Sequence, residues 1–97
     1  MERLKFFYLP GCPYCRMANR ILKDLLTADA RFAGMKISHI DESQNRALAD
    51  RYDYWRVPSF FLGDEKLYEA DPSHNEAQMR RYIENVLETV INSQIDA

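Results

Sequence analysis

Cys12 and Cys15 are the only cysteines in this 97-residue chain, and they share the stretch Gly11-Cys12-Pro13-Tyr14-Cys15. Two thiols at this spacing can act in turn on a disulfide. The first attacks as a thiolate and forms a mixed disulfide, and the second attacks that bond and releases the reduced product. The apolar run Phe6-Phe7-Tyr8-Leu9 precedes the pair, and Pro13 suits the first turn of a helix, where its missing N–H is not needed. Cys12 therefore falls at a helix N-terminus. Unpaired N–H groups and the positive end of the helix dipole favour an anion there. The Cys12 thiol is accordingly expected to titrate at about 3.5–7.5 rather than about 8.5. Full ionisation at pH 7 raises the thiolate fraction about 30-fold, and the lower nucleophilicity of an acidic thiol returns most of that. The larger gain is that Cys12 becomes a good leaving group. Cys15 is expected in the first turn, within reach and more buried.

Other uses of two cysteines fit less well. A structural disulfide closing so small a ring would contribute only about 2 kcal/mol, and a cytosolic environment would keep it reduced. A zinc site needs more ligands, and His39 and His74 fit no finger spacing. Two inert buried thiols would need neither Pro13 nor a strand-to-helix junction. A Cys-x-x-Cys at that junction inside a β-α-β pattern points to redox chemistry.

The remaining segments position the pair. Residues 3–9 read as a buried strand ended by Pro10-Gly11. Met17, Ala18, Ile21, Leu22, Leu25 and Leu26 form one helical face that runs out near Ala28–Ala30. Residues 35–40 alternate with period two, Met35, Ile37 and His39 on one face and Ile40 on the other, which predicts a second strand. Asp41 with Gln44 makes a capping-box pattern opening a short helix to about Tyr52. Residues 57–62 and 65–70 read as a hairpin around Gly63-Asp64, with Pro58 at a strand start or an edge. Asp71 and Ser73 offer N-caps to a last helix whose stripe is Met79, Ile83, Val86, Leu87, Val90 and Ile91. The tail 93–97 is expected to fray. The order β-α-β-α-β-β-α needs a right-handed, parallel first crossover. The α/β class that satisfies it is a four-stranded mixed sheet with helices on both faces, in one domain spanning 1–97.

Composition excludes several roles. The net charge of −2 supplies no basic field for nucleic acid. No stretch approaches the roughly 18 apolar residues of a membrane span, and 6–9 is too short for a signal-peptide core. Two cysteines are too few for a secreted disulfide scaffold. A cytoplasmic, monomeric protein without a tightly bound cofactor or metal is expected.

Pro10-Gly11-Cys12-Pro13-Tyr14-Cys15 after the first strand, Val57-Pro58 opening the third, and the element order over nearly the whole chain resemble the glutaredoxins of the thioredoxin superfamily. The resemblance implies a thioredoxin fold and dithiol redox chemistry, with Cys12 and Cys15 catalytic. It implies that Pro58 is a cis-proline facing the cysteines. Backbone at Val57 would then pair with an extended substrate or with glutathione, and Tyr14 would contact substrate. The chain departs from the family at the glutathione site. Leu9 stands where glutaredoxins carry a carboxylate-binding lysine, Arg56 where they carry threonine before Val-Pro, and Glu69-Ala70 where they carry Gly-Gly. Arg56 and Asp71 are the expected substitutes, and Arg16 adds positive potential at the helix start. Residues 52–62 and the following GDEKLYEA are similar to the second half of a thioredoxin.

The expected function is that of a small thiol–disulfide oxidoreductase acting on protein disulfides or glutathione mixed disulfides. Its electrons would come from glutathione or a thioredoxin-reductase-like flavoprotein. Two alternatives are a metal or iron–sulfur cluster module on the same fold and a redox-inert binding domain. The aromatic residues Tyr52, Tyr54, Trp55, Phe60 and Phe61 are expected to pack in the core or its rim.

Overall fold

In a computed structural model describing residues 3–95, four strands and three helices alternate as β1 (Leu4–Tyr8), α1 (Pro13–Ala28), β2 (Ile37–Asp41), α2 (Arg46–Ala49), β3 (Ser59–Leu62), β4 (Glu65–Glu69) and α3 (Glu76–Ile95). A 3-10 turn, Ala30–Phe32, follows α1. The sheet order is β2-β1-β3-β4. β1 runs parallel to β2, with Phe6 opposite His39, and antiparallel to β3, with Phe6 opposite Phe60. β3 and β4 form the expected hairpin. Its turn uses Gly63 at φ 61°, a left-handed conformation that favours glycine.

Alternation along β1 builds two cores. Leu4 and Phe6 face α1 and α3, where Ala18, Ile21, Leu22, Leu25, Met79, Ile83, Val86, Leu87 and Val90 are buried with Phe60 and Phe32. Phe6 and Phe60 stack with centroids 4.8 Å apart. Phe7 faces the opposite way, into a smaller cluster with Ile40, Ala49 and Phe61, rimmed by Tyr52, Tyr54 and Val57. Burying an aromatic side chain is worth about 1.5–3 kcal/mol, so the strand register is strongly set: a one-residue slip would exchange the two faces.

Four local expectations change. β2 starts at Ile37, not residue 35. Asp41 ends β2, and its Oδ1 accepts from Ser43 N–H (3.0 Å) and Ser43 Oγ–H (2.7 Å), making a turn in place of a capping box. The short helix is thereby confined to Arg46–Ala49. Asp71 likewise accepts from Ser73 N–H at 2.8 Å, and α3 is capped two residues later. Asn75 Oδ1 accepts from Gln78 N–H (2.8 Å), and Gln78 Oε1 accepts from Asn75 N–H (2.9 Å). This reciprocal pair is the capping box of the chain. Helix α3 continues through Ile95, so residues 93–95 are helical rather than frayed; 96 and 97 lie outside the described residues. Among the described residues no helix is long and apolar enough to cross a membrane.

Candidate active site

The backbone turn from β1 into α1 is set by main-chain bonds. Cys12 N–H donates to the Leu9 carbonyl at 3.2 Å, and Arg16 N–H donates to the Cys12 carbonyl at 3.0 Å. Cys12 is the N-cap residue, in extended conformation (φ −82°, ψ 122°), and Pro13 opens the helix. Both cysteines are free. Cys12 is half-exposed and its thiol donates to the Val57 carbonyl, 3.9 Å away. Cys15 is 3% exposed; its Sγ accepts from Leu9 N–H at 3.5 Å. Burial pushes the Cys15 thiol up to about 12. The Leu9 N–H opposes that shift, while the neighbouring Cys12 thiol and, more weakly, Glu42 add to it.

The Val57–Pro58 bond is cis, as the resemblance implied. Pro58 directly precedes β3, and its carbonyl accepts from Ala70 N–H at 3.0 Å. The loop before it is pinned from a distance. Glu69 Oε2 accepts from Trp55 N–H (2.9 Å) and Arg56 N–H (2.8 Å). Lys66 Nζ donates to Glu69 Oε1 (2.7 Å) and to the Asp53 carbonyl (3.2 Å). Buried Ser59 donates its hydroxyl to the Arg56 carbonyl at 2.6 Å. Burial acts to raise the Glu69 carboxyl, but Lys66 and the two amides outweigh it and hold the group below its ordinary range. Tyr54 donates to Glu42 Oε1 at 2.6 Å, and burial, then that carboxylate, push its phenol up.

Tyr14 leans across the site, its hydroxyl donating to the Pro72 carbonyl at 3.4 Å. Arg56 and Asp71 meet at 3.7 Å with both side chains about half exposed. Ser73, through its amide and hydroxyl, and to a lesser degree Arg56, hold the Asp71 carboxyl below its ordinary range. Cys12, Cys15, Pro13, Tyr14, Arg56, Val57, Pro58 and Asp71 thus come together on one rim, drawn from the β1–α1 turn, the loop before β3 and the segment after β4. Arg16 also lies near, lining a separate 180 Å³ cavity with Cys15 and His39. His39 sits on edge strand β2, its ring 5.3 Å from Phe6; burial first, then Lys23, lower its pKa. His74 Nδ1 lies 2.9 Å from the Tyr68 hydroxyl, away from the cysteines' contacts. No group of three or more His, Cys, Asp or Glu side chains arranged to hold a metal occurs among the described residues.

Two residues of the site escape the sequence pattern. Glu69 stands where the resembling family carries a glycine, and its role needs the β4 register to appear. Trp55 shares its stretch with the packing aromatics. Tyr52, Tyr54, Phe60 and Phe61 do pack, but Trp55 is 91% exposed. The signal that separates it is its charged and polar company, Asp53 and Arg56.

No protein-family model matches the chain, and no curated protein matches it in sequence. Solved structures do. A mutant thioredoxin from Halobacterium salinarum superposes with a TM-score of 0.55 at 25% identity, covering 87% of this chain and 73% of that one. The fold is that of thioredoxin. A malarial protein superposes with a TM-score of 0.58 at 15% identity, covering 88% of this chain and 96% of that one, and shows the same fold. The thioredoxin neighbour supports the superfamily and an oxidoreductase fold.

Proposed function

We propose that this thioredoxin-fold chain is a glutaredoxin-like dithiol–disulfide oxidoreductase. The observation that carries the reading is the asymmetry of its two free thiols: Cys12 half-exposed at the N-cap of α1 beside cis-Pro58, Cys15 buried one turn behind it. Cys12 attacks a substrate disulfide as the thiolate, forming a mixed disulfide and releasing one substrate thiolate. Cys15 then gives its proton to the departing second substrate sulfur and attacks Cys12. The products are two substrate thiols and an oxidised Cys12–Cys15 pair, a two-electron transfer. The raised Cys15 pKa suits this order, since a thiol that stays protonated does not compete with Cys12 for the first attack.

The Val57 backbone supports substrate alignment. Its N–H has no partner among the described residues, so an extended peptide, or glutathione, can pair with it as a strand does. Tyr14 and Arg56 flank that line, and Asp71 offers a carboxylate to a substrate amine once Arg56 turns away. Electrons return from glutathione or from a thioredoxin-reductase-like flavoprotein, and the working compartment is the cytoplasm.

Insulin-disulfide reduction tests the reading. Cys12→Ser is expected to abolish turnover, and Cys15→Ser to accumulate mixed disulfides visible by mass spectrometry. Full activity in Cys12→Ser would end the proposal. Running the wild type with glutathione and its reductase, then with thioredoxin reductase, identifies the donor.

A further inference from the structure

The loop from Asp53 to Val57 is held by five hydrogen bonds to residues outside it. Lys66 binds the Asp53 carbonyl, Glu42 the Tyr54 hydroxyl, Glu69 the amides of Trp55 and Arg56, and Ser59 the Arg56 carbonyl. Between these anchors the Trp55 indole stands 91% exposed. A single exposed apolar side chain needs no explanation by itself. An indole on a backbone clamped at 2.8–2.9 Å, two residues before the carbonyl that receives the Cys12 thiol, is a different matter. Two residues span at most about 7 Å, so the Trp55 backbone lies close to whatever binds beside Cys12.

Trp55 also borders an open cleft of about 250 Å³ with Glu42, Arg46, Asp50, Tyr52 and Tyr54. Tyr52 and Tyr54 pack against Phe7 and Phe61, and Lys5 Nζ lies 5.6 Å from the Tyr52 ring centroid, so Trp55 is the open ring of a cleft lined by two carboxylates and one guanidinium. Arg46 offsets one negative charge, leaving a net −1. The Tyr54 hydroxyl occupies only Oε1 of Glu42. Its second oxygen, and the Asp50 carboxylate, have no hydrogen-bond or ion-pair partner among the described residues. An open indole in the same cleft as unpaired carboxylates suits a planar cation, which stacks on the ring and pairs with the acid.

We propose that Trp55 and this cleft set substrate preference, receiving an arginine that flanks the cysteine of a polypeptide disulfide while Cys12 attacks that disulfide. The inference rests on the oxidoreductase reading for its reaction, but the contact itself can be measured without turnover. An exposed cation–π contact corresponds to about a two- to fivefold gain in affinity.

Two arms test it. Trp55 is the only tryptophan, so indole fluorescence reports directly on the contact. In the Cys12→Ser/Cys15→Ser double variant, titration with an oxidised peptide carrying arginine next to its cystine is expected to change the emission saturably, two- to fivefold more tightly than a glycine-flanked peptide. In the active protein, the ratio of kcat/KM for the arginine-flanked over the glycine-flanked peptide is expected to be about two to five. It should fall to one in Trp55→Ala and be partly kept in Trp55→Phe. Because the ratio is taken within one protein, a general loss of activity or stability cancels. Equal binding of both peptides, equal preference for a phenylalanine flank, or a ratio that survives Trp55→Ala would overturn the proposal. Absence of turnover with every disulfide, alongside selective fluorescence binding, would overturn the redox reading and leave the contact standing.

Discussion

Two loops meet at the candidate site, and they are built in opposite ways. The backbone of the Cys12 turn is set locally: the bonds that shape it, among Leu9, Cys12, Cys15 and Arg16, each span six residues or fewer. The Cys12 thiol and the Tyr14 hydroxyl reach out of it, to the Val57 and Pro72 carbonyls. Pro13 and the main chain shape it without a side-chain cap. The loop before cis-Pro58 is remote-controlled. Glu69 reaches Trp55 and Arg56 across 14 and 13 residues, Lys66 reaches Asp53 across 13, and Glu42 holds Tyr54 across 12. The first loop carries its geometry with its own sequence. The second depends on β2 and β4 already being in register, which ties the shape of the substrate rim to the integrity of the sheet.

The sharpest way to break that contrast is to remove the remote anchor. Glu69→Ala strips an acceptor from two amides and from Lys66, and is expected to cost about 2 kcal/mol in urea unfolding. Glu69→Gln retains an acceptor and should cost less. The loss should fall on exchange protection of the Trp55 and Arg56 amides, with the Cys12 turn little changed. A loss confined to the cysteine turn would invert the comparison. The Glu69 carboxyl is held below its ordinary range, so the folded chain takes up this proton at lower pH than the unfolded chain does. Its stabilisation is present above the unfolded carboxylate pKa, near 4, and disappears as pH falls through the lower folded value.

Cys15 gives the next effect, with the opposite sign. Its folded pKa of about 12 lies above the unfolded value, about 8.5. Above that pH the unfolded chain loses the proton first. Stability should fall by about 1.4 kcal/mol per pH unit from this group until the folded thiol also titrates. Cys15→Ala should flatten that slope. Iodoacetamide at pH 8 is expected to label Cys12 alone in the folded protein and both thiols in urea. Labelling of Cys15 without denaturant would show that the first turn opens.

A smaller effect is expected at Ser59. Removing its hydroxyl in Ser59→Ala leaves the Arg56 carbonyl short of one donor, a loss of about 1 kcal/mol by thermal unfolding. The least effect belongs to the local loop. A Cβ at Gly11 meets nothing within 4 Å, and its φ is not in the left-handed region. Gly11→Ala should therefore change stability by no more than about 0.5 kcal/mol. A larger loss would mean that the cysteine turn is less self-contained than its bonds indicate.

What each loop shows also explains what could be read in advance. The strand-to-helix junction, Cys12 at the N-cap and Cys15 behind it follow from Pro10, Gly11, Pro13 and a clean helical stripe, because these preferences act over a few residues. The element order and the parallel first crossover were legible for the same reason, through the periodicity of apolar residues. The caps were less so. Asp41-x-x-Gln44 and Ser73-x-x-Glu76 both have the spacing of a helix start, yet Asn75 and Gln78 make the real box. Asp41 and Asp71 each turn back onto a serine two residues on, and either use of a short polar side chain costs little locally.

The sequence by itself determined the order of elements, the helix that begins at Cys12, and the pairing of two thiols one turn apart. Short-range sterics and a hydrophobic period suffice for these. Only the tertiary structure decided which aromatic residue of 52–61 stays in water, which carboxylate pins the proline loop, and that Arg56 faces Asp71. Those outcomes turn on which side chains face each other after β3 and β4 pair, and pairing across the sheet is not a property of any one segment.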